Sequence, residues 1–164
     1  MVVVGFDEIA RRAILLLDDR YERIVVIDRN VAEIEAIEAA GYDAIFGDAK
    51  YQKIRKEAGV KYANFVFSSS VQTDINELLL EETKEDATVF VEAEWPRDAD
   101  RLYDLGADFV ALGPQLSADQ LHRYLVSYLT DPEHFEEVLE ADLEILRSND
   151  LFPGPRPAWR ETDD

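Results

Sequence analysis

The first thirty residues constrain the fold more than any other stretch of the chain. Val2-Val3-Val4 is a β-branched run ending at Gly5, and a helical pattern begins almost at once. A second apolar run, Ile24-Val25-Val26-Ile27, closes on Asp28. Between the two runs, Ile9, Ala13, Leu16 and Leu17 share one helical face, while Arg11, Arg12 and Asp18 to Arg20 lie away from it. Strand, glycine turn, helix and a strand ending in an acid describe a βαβ unit of the dinucleotide-binding type. In such a unit the turn aims the helix's unpaired N–H groups and positive dipole end at a phosphate. The terminal acid accepts hydrogen bonds from ribose hydroxyls.

The glycine fingerprint of that unit is altered. G-x-G-x-x-G/A reads here as Gly5-Phe6-Asp7-Glu8-Ile9-Ala10. The first glycine is present, and Ala10 is an accepted substitute for the third. Asp7 stands at the second, where a bare backbone would let a pyrophosphate approach. A carboxylate there adds bulk and negative charge. The motif alone leaves two outcomes open: a nucleotide site, or the same scaffold with an empty or altered cleft.

Further along, helical spacing runs from Val31 to Ala40 through Val31, Ile34, Ile37 and Glu38, with Gly41 at the stop position. Asp43 to Phe46 reads as a third strand, followed by Gly47-Asp48-Ala49. Tyr51 to Ala58 reads as a helix with Ile54 inward and Gly59 ending it. Asn64 to Phe67 is a fourth strand running into Ser68-Ser69-Ser70. Asp74 to Thr83 is a helix, Thr88 to Val91 a strand, Asp98 to Leu105 a helix closed by Gly106, and Phe109 to Ala111 a sixth strand. Regular alternation of short apolar strands with helices predicts an α/β fold, a doubly wound, mainly parallel six-stranded sheet. From Gln115 the alternation stops. Two helices are expected, Ser117 to Leu129 with Ser117 as N-cap, and Pro132 to Ser148 with Pro132 in the first turn. Their stripes are Leu121, Tyr124, Leu125 and Tyr128, and Phe135, Val138, Leu139, Leu143 and Leu146. Such stripes pack on the parent domain or on a twin subunit. Phe152 to Asp164, rich in proline and charge, reads as a frayed tail.

Composition narrows the function classes. Of 164 residues, 36 are acidic and 17 basic, the latter 5 Lys and 12 Arg, for a net charge of −19. The acids are spread over helix surfaces, a pattern suited to high intracellular salt, where screening reduces self-repulsion. Nothing in it would neutralise phosphates along a nucleic acid, so that class of partner is excluded. No cysteine is present, which removes disulfides and thiolate chemistry and suits a cytosolic protein. No apolar run approaches the ~18 residues that span a bilayer. Met1 leads directly into the first strand, so no signal peptide is expected.

Taken together these segments resemble the TrkA-N domain, also called the regulator-of-K+-conductance (RCK) N-terminal domain. That family is a cytoplasmic Rossmann module of potassium channels, potassium-uptake systems and Kef-type cation:proton antiporters. The matching residues are Val3-Val4-Gly5-Phe6, Val26-Ile27-Asp28-Arg29, Ala40 to Ala44, Gly47-Asp48-Ala49, Glu57-Ala58-Gly59-Val60 and Ala63-Asn64. They continue with the serine run before Asp74 and Asn76, then Leu105 to Val110, with Pro114 shortly after. Asp131-Pro132-Glu133-His134-Phe135 looks most like the version at the C-terminus of Kef-type antiporters. The resemblance implies residues 1–113 as the Rossmann domain, 114–150 as a dimer-associated helical extension and 151–164 as a flexible tail. It also implies NAD(H), or an adenine nucleotide such as AMP or ATP, bound at the carboxyl ends of the strands. Gly5, Phe6, Asp7, Glu8 and Ile9 would form the phosphate turn, and Asp28 and Arg29 would meet the ribose and base. Asp48 and Ala49 would flank the adenine, and Ser68 and Ser69 would line the phosphate side. Partners implied are a second copy of the chain, joined through the fourth and fifth helices, or a larger ring, and a membrane cation transporter or channel subunit. The relatives usually carry a linker before the first strand, so the chain is expected to be a domain cut from a longer one. Two positions depart from the pattern: Asp7, and the acids Glu92 and Glu94, where many relatives carry an arginine able to meet phosphate.

Enzyme readings find little purchase. Tyr51 and Arg55, four apart, nearly match the Tyr-x-x-x-Lys pair of short-chain dehydrogenases, but arginine cannot relay a proton as lysine does, and a helix-surface role is expected. His122 and His134 lack an H-x-x-x-H or cysteine partner for metal. Ser68-Ser69-Ser70 is not a G-x-S-x-G elbow. Trp95 beside Pro96 could stack on a base or serve as an apolar contact.

Overall fold

The structure is a computed structural model that describes residues 1–147, with side chains through 143. Six strands form one parallel sheet: β1 (Val2–Val4), β2 (Val25–Asp28), β3 (Asp43–Phe46), β4 (Phe65–Ser68), β5 (Thr88–Ala93) and β6 (Phe109–Leu112). Their order is β3-β2-β1-β4-β5-β6. The expected sheet is therefore present, with every pairing parallel.

The pleat sends alternate side chains to opposite faces, and each face has its own core. Val3, Val26, Phe65 and Phe67 pack beneath helices α1 (Glu8–Leu17) and α2 (Val31–Ala39), against Phe6, Ala10, Ile14 and Ile37. Val2, Val4, Val25, Ile27, Val66 and Val91 pack on the other face. There they meet α3 (Gln52–Ala58), α4 (Thr73–Glu82) and α5 (Pro96–Asp104) through Ala58, Leu79 and Leu102. The crossovers change faces between β1 and β4, which places the switch point of the sheet beside the end of β1.

Three details differ from the sequence reading. In α1 the side chains turned to the sheet are Ala10, Ala13, Ile14 and Leu17, while Ile9 and Leu16 are exposed at 44% and 80%. The apolar arc of this helix is wider than the stripe the sheet can cover, and only one edge of it is buried. Ser117 is no N-cap, because α6 (Gly113–Thr130) starts directly after β6 with Pro114 in its first turn. Arg55 is no surface residue, being 4% exposed. Helix α7 (Pro132–Arg147) follows α6 after Asp131; Ser148 and the tail lie outside the described residues.

Helices α6 and α7 pack on each other, with the Phe135 ring edge-on to Tyr124 at 6.3 Å and to Tyr128 at 5.5 Å. None of the 18 residues of α6 is buried. Leu121, Leu125, Tyr128 and Leu129 are exposed along it.

Candidate functional site

The turn after β1 needs the left-handed backbone of Gly5, φ 87°, and a Cβ there would also collide with Ser69 Oγ. Backbone bonds past the strand ends lock the loops together. Gly5 N donates to Ile27 O (2.9 Å), Gly47 N to Asp28 O (2.9 Å) and Ser69 N to Val4 O (2.9 Å). The loops after β1, β2, β3 and β4 thereby surround one cleft of about 340 Å3 at the carboxyl ends of the strands.

Of the residues expected at a site, Gly5, Phe6, Asp7, Asp28, Arg29, Asp48, Ala49 and Ser69 line this cleft. Three do not. Glu8 points outward to Arg12 (2.7 Å), Ile9 is on the open edge of α1, and Ser68 is fully buried with its Oγ accepting from Ser70 N. Ser68 is the last residue of β4, and the pleat turns it inward, so the neighbouring Ser69 takes the cleft side. Trp95 is exposed outside the cleft, beside Pro96 and Arg97. Among the described residues no group of three or more histidines and acids could hold a metal.

Asp7 does something the fingerprint does not foresee. Its Oδ1 accepts the Ala10 amide at 3.0 Å, making it the N-cap of α1. The side chain is exposed and stands where a bound phosphate would take the helix amides, leaving those of Glu8 and Ile9 without intrahelical acceptors. Arg11, one turn on, is held over the Phe6 ring at 4.7 Å, donates through Nε to Phe6 O and pairs with Glu33.

At the other end, the Asp28 carboxylate accepts from Asn30 N through one oxygen (2.7 Å). Asp48 accepts from Lys50 N (2.9 Å) and meets Arg29 at 3.4 Å. Lys50 reaches across to Asp74 at 2.7 Å, a contact that holds the Asp74 carboxyl below its usual range. The cations bordering the cleft are thus each matched to an acid, while Asp7, Asp28, Glu33 and Asp48 line it against Arg29 alone. Glu92 adds to the imbalance. Burial, and then the charge of Asp7, push its carboxyl above the usual range.

Two buried residues that hold the cleft were missed from sequence. Arg55 donates from Nη1 to Ala49 O (2.7 Å) and Lys50 O (2.8 Å) and from Nε to Glu82 (2.7 Å), fixing the loop after β3 to α4. Asn76, fully buried, donates from Nδ2 to Ser70 O (2.7 Å) and Glu92 O (2.8 Å), joining the loops after β4 and β5. A polar residue within the apolar face Ile75-Leu79 of α4 was a legible signal for Asn76. Arg55, among Lys53 and Lys56, carried none.

An all-parallel sheet with its cleft at the switch point, a glycine turn opening a helix, and an acid ending β2 define a Rossmann-type module. The model of the TrkA-N domain family matches residues 1–112, and the chain belongs to that family. The TrkA-N domain of the inner membrane protein ybaL from Escherichia coli is similar in structure at TM-score 0.68 and 17% identity, over 76% of this chain and 94% of that one. The Kef C-terminal domain of Shewanella denitrificans in its AMP-bound form is similar at TM-score 0.63 and 17% identity, over 88% and 93%. GsuK bound to ADP matches at TM-score 0.62 and 21% identity, over 80% and 34%, and the GsuK channel bound to NAD at 0.56 and 18%, over 67% and 20%. No curated protein matches the chain. Among the described residues no helix is long and apolar enough to cross a membrane.

Proposed function

We propose that this domain is a ligand-sensing regulatory module of a cation (K+ or Na+/H+) transport system, binding an adenine nucleotide or NAD(H) in the Gly5–Asp28–Asp48 cleft. The observation that carries the reading is the position of that cleft, at the sheet's switch point, with Asp28 ending β2 where a ribose-binding acid belongs. In this reading the remaining Asp28 oxygen accepts from the ribose, Arg29 meets the base, and Asp48 and Ala49 flank the adenine. Gly5, Phe6, Asp7 and Ser69 surround the phosphate end. Relatives solved with AMP, ADP and NAD support the ligand class.

The module acts as a cytoplasmic homodimer, residues 1–113 binding ligand and 114–150 pairing the subunits. The open apolar stripe of α6 supports that pairing, and the net charge of −19 suits a cytosol of high salt. No catalytic role is assigned. Ligand regulates by binding one dimer geometry better than the other, since equal affinity shifts nothing.

Thermal unfolding of the chain with NAD, NADH, AMP and ATP tests this, because a ligand at a hundred times its Kd adds about 2.7 kcal/mol. Absence of any shift, at low and at high salt, would favour a second reading, a dimerisation domain with a cleft that binds nothing. Asp7, already seated on the helix start, is the observation on that side.

A further inference from the structure

Resting on the adenosine end of the sensor reading and departing from its phosphate end, we propose that the cleft selects a nucleoside with no 5′-phosphate over the corresponding nucleotide. The chain supplies its own anion at the helix start, so a phosphate meets a fixed negative charge, one fewer helix amide and no uncommitted cation. Asp7 Oδ1 occupies the Ala10 amide, the third of the helix and one of those a phosphate would use. Its negative charge remains at the entrance, exposed. Glu92 is close enough to feel that charge, and its side chain lies against Gly113 at the root of α6. Arg11, the nearest guanidinium to the turn, is stacked on Phe6 and engaged by Glu33. Ser69 Oγ closes the far side of the turn, against Gly5.

The opposite end retains what a nucleoside needs. Asp28 has one oxygen committed to Asn30 N, Asp48 and Arg29 form an exposed polar rim, and Val4, Ile27, Ala49 and Ile75 give apolar walls. A ligand ending at its 5′-hydroxyl makes these contacts. Adding a phosphate adds like-charge repulsion from Asp7 and Glu92, with only the Glu8 and Ile9 amides left at the helix start to offset it.

Isothermal titration of the full chain with adenosine, AMP, ADP and NAD, with and without Mg2+, tests this. At low salt adenosine should bind about tenfold or more tightly than AMP, and the gap should narrow as added salt screens the carboxylates. Asp7→Asn, which retains a good N-cap while removing the charge, should raise the AMP-to-adenosine affinity ratio about tenfold. Glu92→Gln should move the ratio the same way by less. Tighter or equal binding of AMP, ADP or NAD by the native chain, in either condition, overturns the selectivity and leaves the sensor reading standing. No binding of any of the four compounds to the native chain removes the sensor reading itself.

Discussion

The two ends of the cleft are held in opposite ways. The Asp48–Ala49 loop is fixed from below by Arg55, a buried guanidinium that bonds two loop carbonyls and Glu82. The Gly5–Asp7 turn is finished from above by an exposed carboxylate on its own helix. Interior anchoring costs much to disturb, because it leaves unpaired polar groups away from water. A surface cap contributes little to the fold but decides what charge a visitor meets. Stability therefore sits at one end of the cleft and the proposed selectivity at the other.

The contrast predicts a ranked series of losses. Arg55→Met should cost the most, about 3–5 kcal/mol, since it leaves Glu82 and two carbonyls without their partner. Urea unfolding measures it, and a loss below that of Asp7→Ala would break the contrast outright. Asn76→Ala comes next at about 1–3 kcal/mol in the same measurement, because the Ser70 and Glu92 carbonyls lose their shared donor. Asp7→Ala removes only an N-cap and should cost about 1 kcal/mol, with Asp7→Asn close to neutral.

The smallest effect sharpens the contrast through its sign. Glu92 binds its proton more tightly folded than unfolded, so at neutral pH its charged form works against the fold. Glu92→Gln should therefore stabilise the fold at pH 7, by less than about 1 kcal/mol after discounting for solvent screening, and so raise the melting temperature. That gain should shrink as pH falls and vanish below the ordinary carboxylate range, where native Glu92 is protonated in both states. Melting curves of the two proteins across pH 3–8 would show it, and a gain that grew on acidification would contradict the burial of Glu92 beside Asp7.

The sheet was legible from sequence because strand periodicity and glycine stops are local. Val2–Val4, the apolar run closing on Asp28, and Asp43 to Phe46 all fall where they were read. What was not legible depends on direction. The apolar residues of α1 span an arc wide enough to bury either edge, and only the packed sheet decides that Ala10 and Ile14 go in and Leu16 stays out. Ser68 and Ser69 read alike, and the pleat separates them by one residue. The start of α6 was readable, since Pro114 marks a first turn, but Ser117 offered a competing cap signal. The odd residue at position 7 was visible as a departure. Its hydrogen bond to Ala10 required seeing that an aspartate opening a helix caps it even in a glycine's place.

That self-made cap has a consequence for signalling. In a domain whose first turn waits for an external anion, arrival of ligand quiets that turn and the change can spread outward along the helix. Here one amide of that turn has its acceptor in Asp7 beforehand. In the proposed sensor, the loop that Arg55 ties to Glu82 gives the Arg29–Asp48 end of the cleft a direct connection to α4.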